Sequence, residues 1–163
     1  MIDLDKPYRI PDHWAWCQLS EVAEVITGNT PSKKDEENYG SYLPLVKPSE
    51  LLDAPVSSAP DQLSEKGAEE ARVLPRGAVL VSCIGNLGKT AIAAESVAFN
   101  QQINAAVFGD GILPRYGFYY FQSTAAHSYL REVASATTVT IVNKSKFSRA
   151  PIPLPPLSEQ RRI

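Results

Sequence analysis

The residues of this chain best equipped for chemistry lie between Val79 and Asn104, in the stretch VLVSCIGNLGKTAIAAESVAFNQQIN. An apolar strand, Ala78 to Ile84, breaks at Gly85-Asn86-Leu87-Gly88-Lys89-Thr90, resumes with Ala91-Ile92-Ala93, and arrives at a run of bare amides, Asn100-Gln101-Gln102-Ile103-Asn104. One cation, hydroxyls and several side-chain amides around a Gly-hinged tip can donate to phosphates or read base edges. A nucleotide-binding loop is the first alternative, because Gly88-Lys89-Thr90 follows a strand and an upstream glycine. Such a loop needs G-x-x-x-x-G-K-[ST], with enough backbone between the glycines to curl its N–H groups around a phosphate. Here Cys83 stands where the first glycine belongs, Gly85 lies too close to Gly88, and the segment after Thr90 does not open a long amphipathic helix. ATPase chemistry is rejected, and the stretch reads as a β-hairpin with a Gly-rich turn.

Two other sets of residues have similar chemistry. In Gly28-Asn29-Thr30-Pro31-Ser32-Lys33-Lys34, Gly and Asn tolerate positive φ and proline restricts its neighbour, which suits an exposed loop. The following Asp35-Glu36-Glu37-Asn38 would repel phosphate, so any anion contact belongs at Thr30 to Lys34. Near the other end, Thr137-Thr138-Val139-Thr140 suits a strand or ordered loop, its bland alternative being a Thr-rich strand exposed on one side. Lys144, Lys146 and Arg149 follow, interleaved with Asn143, Ser145 and Ser148. A cation cluster of this size is more often a solvated face, but hydroxyl and amide company suits phosphate contact.

At 163 residues the chain has the size of one domain with a real hydrophobic core. No stretch approaches the ~20 apolar residues of a membrane span, and the N-terminus lacks a charged start followed by an apolar run. Cys17 and Cys83, the two cysteines, lie far apart in apolar segments, as reduced core residues of a cytosolic protein do. The net charge of −2 hides an asymmetry: residues 1–83 carry eight Lys/Arg against fourteen Asp/Glu, and residues 84–157 carry six against three. A locally basic face on an acidic body limits unspecific DNA affinity while permitting a directed contact.

Taken in order, residues 1–13 are polar and expected against the surface. Trp14 to Cys17 alternates as a short strand, Leu19 to Ala23 suits one helical turn, and Tyr42 to Val46 reads as a strand with an edge-type proline. Lys47 to Leu52 looks like a short helix with Ser49 as a cap, and Ser64 to Ala71 is a charged helix. From Pro114 to Ser135, Phe118, Phe121, Ala125, Tyr129 and Val133 recur at helical spacing, so these aromatics are expected in the core rather than on a base-stacking platform. Pro151 to Leu157 is an extended strap with too few backbone donors for a central strand. A helix is expected from Ser158, with that residue as N-cap.

The strap carries a resemblance. Ile152-Pro153-Leu154-Pro155-Pro156-Leu157-Ser158-Glu159-Gln160, preceded by the threonine run and Lys146-Phe147, resembles the end of a target recognition domain in the specificity subunit of type I restriction-modification enzymes. Other matches fall in order: Trp14 with Trp16-Cys17-Gln18-Leu19, Gly28 to Ser32, Leu45-Val46-Lys47, Ser64 to Gly67, Gly85-x-x-Gly88-Lys89, and Asn100-Gln101-Gln102. The resemblance implies a curved α/β (α+β) domain with a mixed, largely antiparallel sheet and flanking helices, at 1–157, with 158–163 starting a truncated spacer helix. It implies sequence-specific binding of double-stranded DNA, one half of a bipartite target. Partner methyltransferase (modification) and restriction subunits would supply the catalysis, with no cofactor held by the domain itself. On this view Lys89, Lys144, Lys146 and Arg149 contact phosphates. Thr30, Ser32, Lys33, Asn86, Gln101, Gln102, Asn104, Thr138 and Thr140 contact groove or backbone, with Lys34 and Lys47 in the same DNA-facing set. A single such domain without complete helices is expected to run as a monomer.

Two other classes compete. No pair of carboxylates stands out for acid/base work, His13 and His127 lack a nearby nucleophile or ligand pattern, and neither an S-adenosylmethionine loop nor a nuclease cluster is present, so an enzyme is disfavoured. A protein-interaction module would use the Pro-rich strap and the acidic 61–70 segment, and would bind no DNA in a salt-dependent way.

Overall fold

A computed structural model describes residues 6–136 and 138–163. Residues 1–5 of the expected surface segment, and Thr137 of the threonine run, lie outside the described residues. The chain begins with β1 (Ala15–Gln18), α1 (Leu19–Val22), β2 (Ala23–Thr27), β3 (Tyr39–Val46), β4 (Ala54–Val56), β5 (Gln62–Leu63), α2 (Glu65–Glu70) and β6 (Val73–Leu74). It continues through β7 (Val79–Ser82), β8 (Thr90–Ala93), β9 (Val97–Phe99), β10 (Ile103–Phe108), α3 (Pro114–Phe121) and α4 (Thr124–Val133). β11 (Ser135–Ala136), β12 (Thr140–Ile141), α5 (Lys144–Ser148), β13 (Pro151–Leu154) and α6 (Leu157–Gln160) complete it.

The fold is mixed α/β, and the expected sheet is divided in two. A five-stranded sheet has the order β2-β10-β7-β8-β4, and a four-stranded sheet the order β5-β3-β9-β6. Pairing is antiparallel except for β4 with β8 and β3 with β9. Alternation along β7 explains the layering, since successive side chains leave a strand on opposite faces. Val79 and Val81 enter a core with Phe118, Phe121, Leu130 and Phe147 from the helices, whereas Ala78 and Leu80 enter a second core with Val46, Phe99 and Ile103. A third cluster, Leu43, Leu45, Leu63 and Ala98, packs on Ala68 of α2 and on Ala71, its C-cap. Helices, sheet, sheet and α2 thus lie in sequence, each interface contributing roughly 1.5–3 kcal/mol per fully buried large side chain.

Local chemistry corrects several boundaries. The pattern from Pro114 to Ser135 forms two helices, because Ser123 accepts a hydrogen bond from Ala126 N and caps α4 afresh. Phe118, Phe121 and Tyr129 are buried as expected, and Phe121 stacks on Phe147 at 5.3 Å. Ser49 does not cap. The turn Pro48–Glu50 follows Lys47, whose N–H donates to Glu50 Oε2 at 2.7 Å. Pro44 lies where β3 pairs with β5 alone, one residue before its ladder with β9 begins, so its missing N–H breaks no ladder. α6 starts at Leu157, placing Ser158 inside the helix rather than at its cap.

The strap pairs with β1 as a two-stranded ribbon, from Ala15 opposite Leu154 to Gln18 opposite Pro151. Pro151, Ile152 and Pro153 are buried. Tyr116 and Tyr120 donate their hydroxyls to the carbonyls of Pro153 and Pro151, and burial pushes both phenols above the usual tyrosine range. A strap held this way is not a free proline-rich ligand, which removes one leg of the interaction-module reading.

Candidate nucleic-acid interface

Ser82 shapes the hairpin tip between β7 and β8. It is fully buried, donates to Asn86 O at 2.6 Å and accepts from Lys89 N at 2.9 Å. Gly88 N donates to Ser82 O at 2.9 Å. Gly85 and Gly88 take φ of 75° and 85°, left-handed values that glycine adopts without a Cβ clash. Asn86 is thereby exposed at the apex, and Lys89 extends along the side of the tip, its ammonium 3.3 Å from Pro48 O.

Three other turns are tied to this tip. Gly85 N donates to Thr140 O at 2.8 Å, and Val142 N to Cys83 O at 2.8 Å. Cys83 N donates to Gln102 O at 2.8 Å, which fixes the amide turn beside the hairpin. Within that turn Asn100 Nδ2 donates to Gln102 Oε1, and Gln102 N to Asn100 Oδ1, both at 3.1 Å. Asn100 N reaches Val46 O, next to Lys47. The loop after β2 then docks on the amide turn through Gly28 N to Ile103 O, Asn29 N to Phe99 O, and Thr30 Oγ1 to Gln101 Oε1 at 2.8 Å. A Cβ on Gly28 would lie 2.1 Å from Asn100 O, so only glycine permits this approach. Thr30, Lys47, Asn86, Lys89, Gln101, Gln102 and Thr140, scattered over 110 positions of sequence, therefore share one hydrogen-bonded rim at an end of the five-stranded sheet.

The other candidates lie apart from that rim. Ser32 Oγ accepts from Lys34 N, and Lys33 stands beside Glu36, Tyr39 and Asp61, which partly cancels its charge. Thr138 is exposed between β11 and β12. Lys144 and Lys146 lie on α5, with Arg149 as its C-cap, a helix that no local sequence pattern marks. Asn143 caps it by accepting from Lys146 N, so its side-chain oxygen is spent on the backbone. Phe147 points into the core while Lys144 and Arg149 are exposed and Lys146 donates to Ser135 Oγ at 2.5 Å.

Asn104 is a correction. It is 3% exposed, accepts from Thr27 Oγ1 at 2.6 Å and donates to Val142 O at 3.1 Å. Its place inside β10, opposite Thr27 on one side and Val81 on the other, makes it a polar bolt in the sheet.

The electrostatics of the rim are moderate. Lys47 is ion-paired with Asp61, and that hydrogen bond holds the Asp61 carboxyl below the usual carboxylate range. Arg72, absent from the candidates, joins the rim: its N–H donates to Asn29 Oδ1 and its guanidinium to Thr27 O. No local signal marked it, since it follows a charged helix and becomes a neighbour of Asn29 only through folding. Cys83 is buried, which pushes its thiol up to about 11, and both cysteines are free thiols. A cleft of about 450 Å³ lined by Tyr8, Thr124, Ser128 and Glu132 contains none of the candidate residues.

The mixed α/β domain thus presents hydroxyls, amides and cations on turns outside that cleft. Residues 11–163 match the family described as the type I restriction modification DNA specificity domain, and the chain belongs to that family. It is 28% identical over 160 residues to the type I restriction enzyme MjaIX specificity subunit of Methanocaldococcus jannaschii, covering 95% of this chain and 37% of the relative. It is 29% identical over 150 residues to the HindI specificity subunit of Haemophilus influenzae, covering 90% and 33%. The crystal structure of the HsdS subunit from Thermoanaerobacter tengcongensis superposes with a TM-score of 0.70 at 26% identity, over 95% of this chain and 36% of that one. The S subunit from M. genitalium shares the fold, with a TM-score of 0.65 at 12% identity. The chain spans about a third of the length of these relatives. Among the described residues, no helix is long and apolar enough to cross a membrane.

Proposed function

We propose that this domain binds double-stranded DNA sequence-specifically, reading one half of a bipartite target as a recognition component of a type I restriction-modification assembly. The observation that carries this reading is the rim itself, where four turns distant in sequence are locked together with Thr30, Asn86, Lys89, Gln101 and Thr140 on them. Cations position a protein on the backbone, while amides and hydroxyls reach base edges. The cations of α5, apart from the rim, add further phosphate contacts. Catalysis falls to partner methyltransferase and restriction subunits, residues 158–163 open the spacer helix that leads toward them, and this chain alone runs as a cytoplasmic monomer.

The test is fluorescence anisotropy of the chain with randomised duplexes, titrated with salt and followed by selection and sequencing. A short enriched motif with a salt-dependent affinity is the expected result. Lys89→Ala should flatten the log–log salt slope by about one unit at most, uniformly across sequences. Binding that ignores salt and enriches nothing, with or without the modification subunit, would defeat the reading.

A further inference from the structure

The turn that follows Pro48–Glu50 is anchored on three sides, yet it holds out the most exposed large apolar side chain described. Leu51 is 2% exposed and sits in the second core, whereas the next residue, Leu52, is 72% exposed. Leu51 N donates to Pro48 O at 3.2 Å, and Asp53 N donates to Thr90 O at 2.8 Å. Ala54 then enters β4 opposite Ala91 of β8. Lys89 also reaches Pro48 O, so the turn is fastened directly behind the hairpin tip. Asp53 has φ of 54°, the one left-handed non-glycine among the described residues. Such held conformations gather at functional positions more than elsewhere. Here the αL residue reverses the chain at once, so that Leu52 projects instead of folding back onto Leu51.

Resting on the DNA reading above, we propose that Leu52 is an apolar base-reading residue that packs against a thymine C5-methyl group in the major groove. The choice of groove follows from its neighbour. Asp53 is exposed, and a carboxylate is repelled by phosphates and by the acceptor-only A·T edge of the minor groove. The major groove offers it amino donors on cytosine and adenine, and offers Leu52 the one apolar substituent among the base edges. Lys89, fastened to the same turn, supplies the adjacent backbone contact. A wedge driven between base steps from the minor groove would carry Asp53 into the least favourable potential available to it.

The experiment uses the duplex enriched by the selection described above, with its thymines replaced one at a time by deoxyuridine, which lacks only the methyl group. For the unaltered chain one replacement should weaken binding about fourfold, the worth of one buried methyl group. Leu52→Ala should bind that duplex and its thymine parent within twofold of each other, while Leu52→Met, which keeps apolar reach, retains part of the difference. An enriched motif in which no thymine matters, or a thymine cost unchanged by Leu52→Ala, overturns the proposal and leaves the DNA reading standing. Leu52→Ala weakening every duplex alike, with reduced bending, would replace methyl contact by insertion. A selection that enriches nothing removes both readings together.

Discussion

Gln101 and Asn104 are three positions apart, carry the same functional group, and have opposite fates. Gln101 is exposed and shares a hydrogen bond with Thr30, while Asn104 is 3% exposed with both ends of its amide engaged. The pleat and the ladder account for the difference, because Gln101 lies in a turn and Asn104 is enclosed between β2 and β7. Asn104→Ala leaves Thr27 Oγ1 and Val142 O without their partner and should cost about 1–3 kcal/mol, read from the urea midpoint. The enriched DNA motif should be the same for the variant as for the parent chain. A changed motif would return Asn104 to the proposed DNA interface. The amide run was legible in the sequence as chemistry, but which amides face solvent was not, since that depends on register with strands far away in the chain.

At the scale of the element, the hairpin was legible from the apolar runs and from Gly85 and Gly88. Its rigidity was not. Ser82 reads as one more residue of an apolar strand, yet its hydroxyl joins Asn86 O to Lys89 N beneath the tip. Ser82→Ala should destabilise the chain by roughly 1–2 kcal/mol, because two backbone groups lose a buried partner. The sharper consequence is local: amide exchange at Lys89 should accelerate more than exchange in β10, and discrimination between bases under the tip should weaken while salt dependence persists. Equal acceleration throughout would show that Ser82 supports the whole sheet and not the tip. α5 illustrates the converse. Lys144, Lys146 and Arg149 read as a basic cluster, but a helix over five residues is set by Asn143 as cap and Phe147 against Phe121, neither of which announces itself locally.

Across the whole molecule the two ends are closed on each other. β1 pairs with β13, and Glu159 accepts from Trp14 Nε1 at 2.9 Å and engages His13 Nε2 at 2.7 Å. Gln160 is buried, accepts from Leu113 N and donates to Gly111 O and Pro155 O. The first turn of the C-terminal helix is therefore seated on the domain body. The hydrogen bond from Trp14, then that with His13, holds the Glu159 carboxyl below the usual carboxylate range. A carboxylate lowered on folding contributes stability that is complete above its ordinary value of about 4.3 and is lost as pH falls through the folded value. The parent chain should be more stable than Glu159→Gln at pH 7, and the gap should close as the solution is acidified below about pH 4.3. Thermal melts of both proteins across that range measure it. A gap independent of pH would mean that the contact acts through shape alone.

By itself the sequence determined the chemistry on offer: a Gly-hinged hairpin with a cation, an amide run, a loop of Gly, Asn and Thr, and a proline strap leading into Glu-Gln. These follow from φ restrictions, strand alternation and side-chain type, all of which act within a few residues. Only the tertiary structure decided which of those groups meet. The assembly of Thr30 with Gln101, Gly85 with Thr140 and Lys89 with Pro48 depends on strand order β2-β10-β7-β8 and on a glycine small enough to let two backbones touch. The same packing withdrew Asn104, recruited Arg72 and left Leu52 in solvent. Long-range pairing is where burial and hydrogen bonding are settled, and no short window of residues contains it.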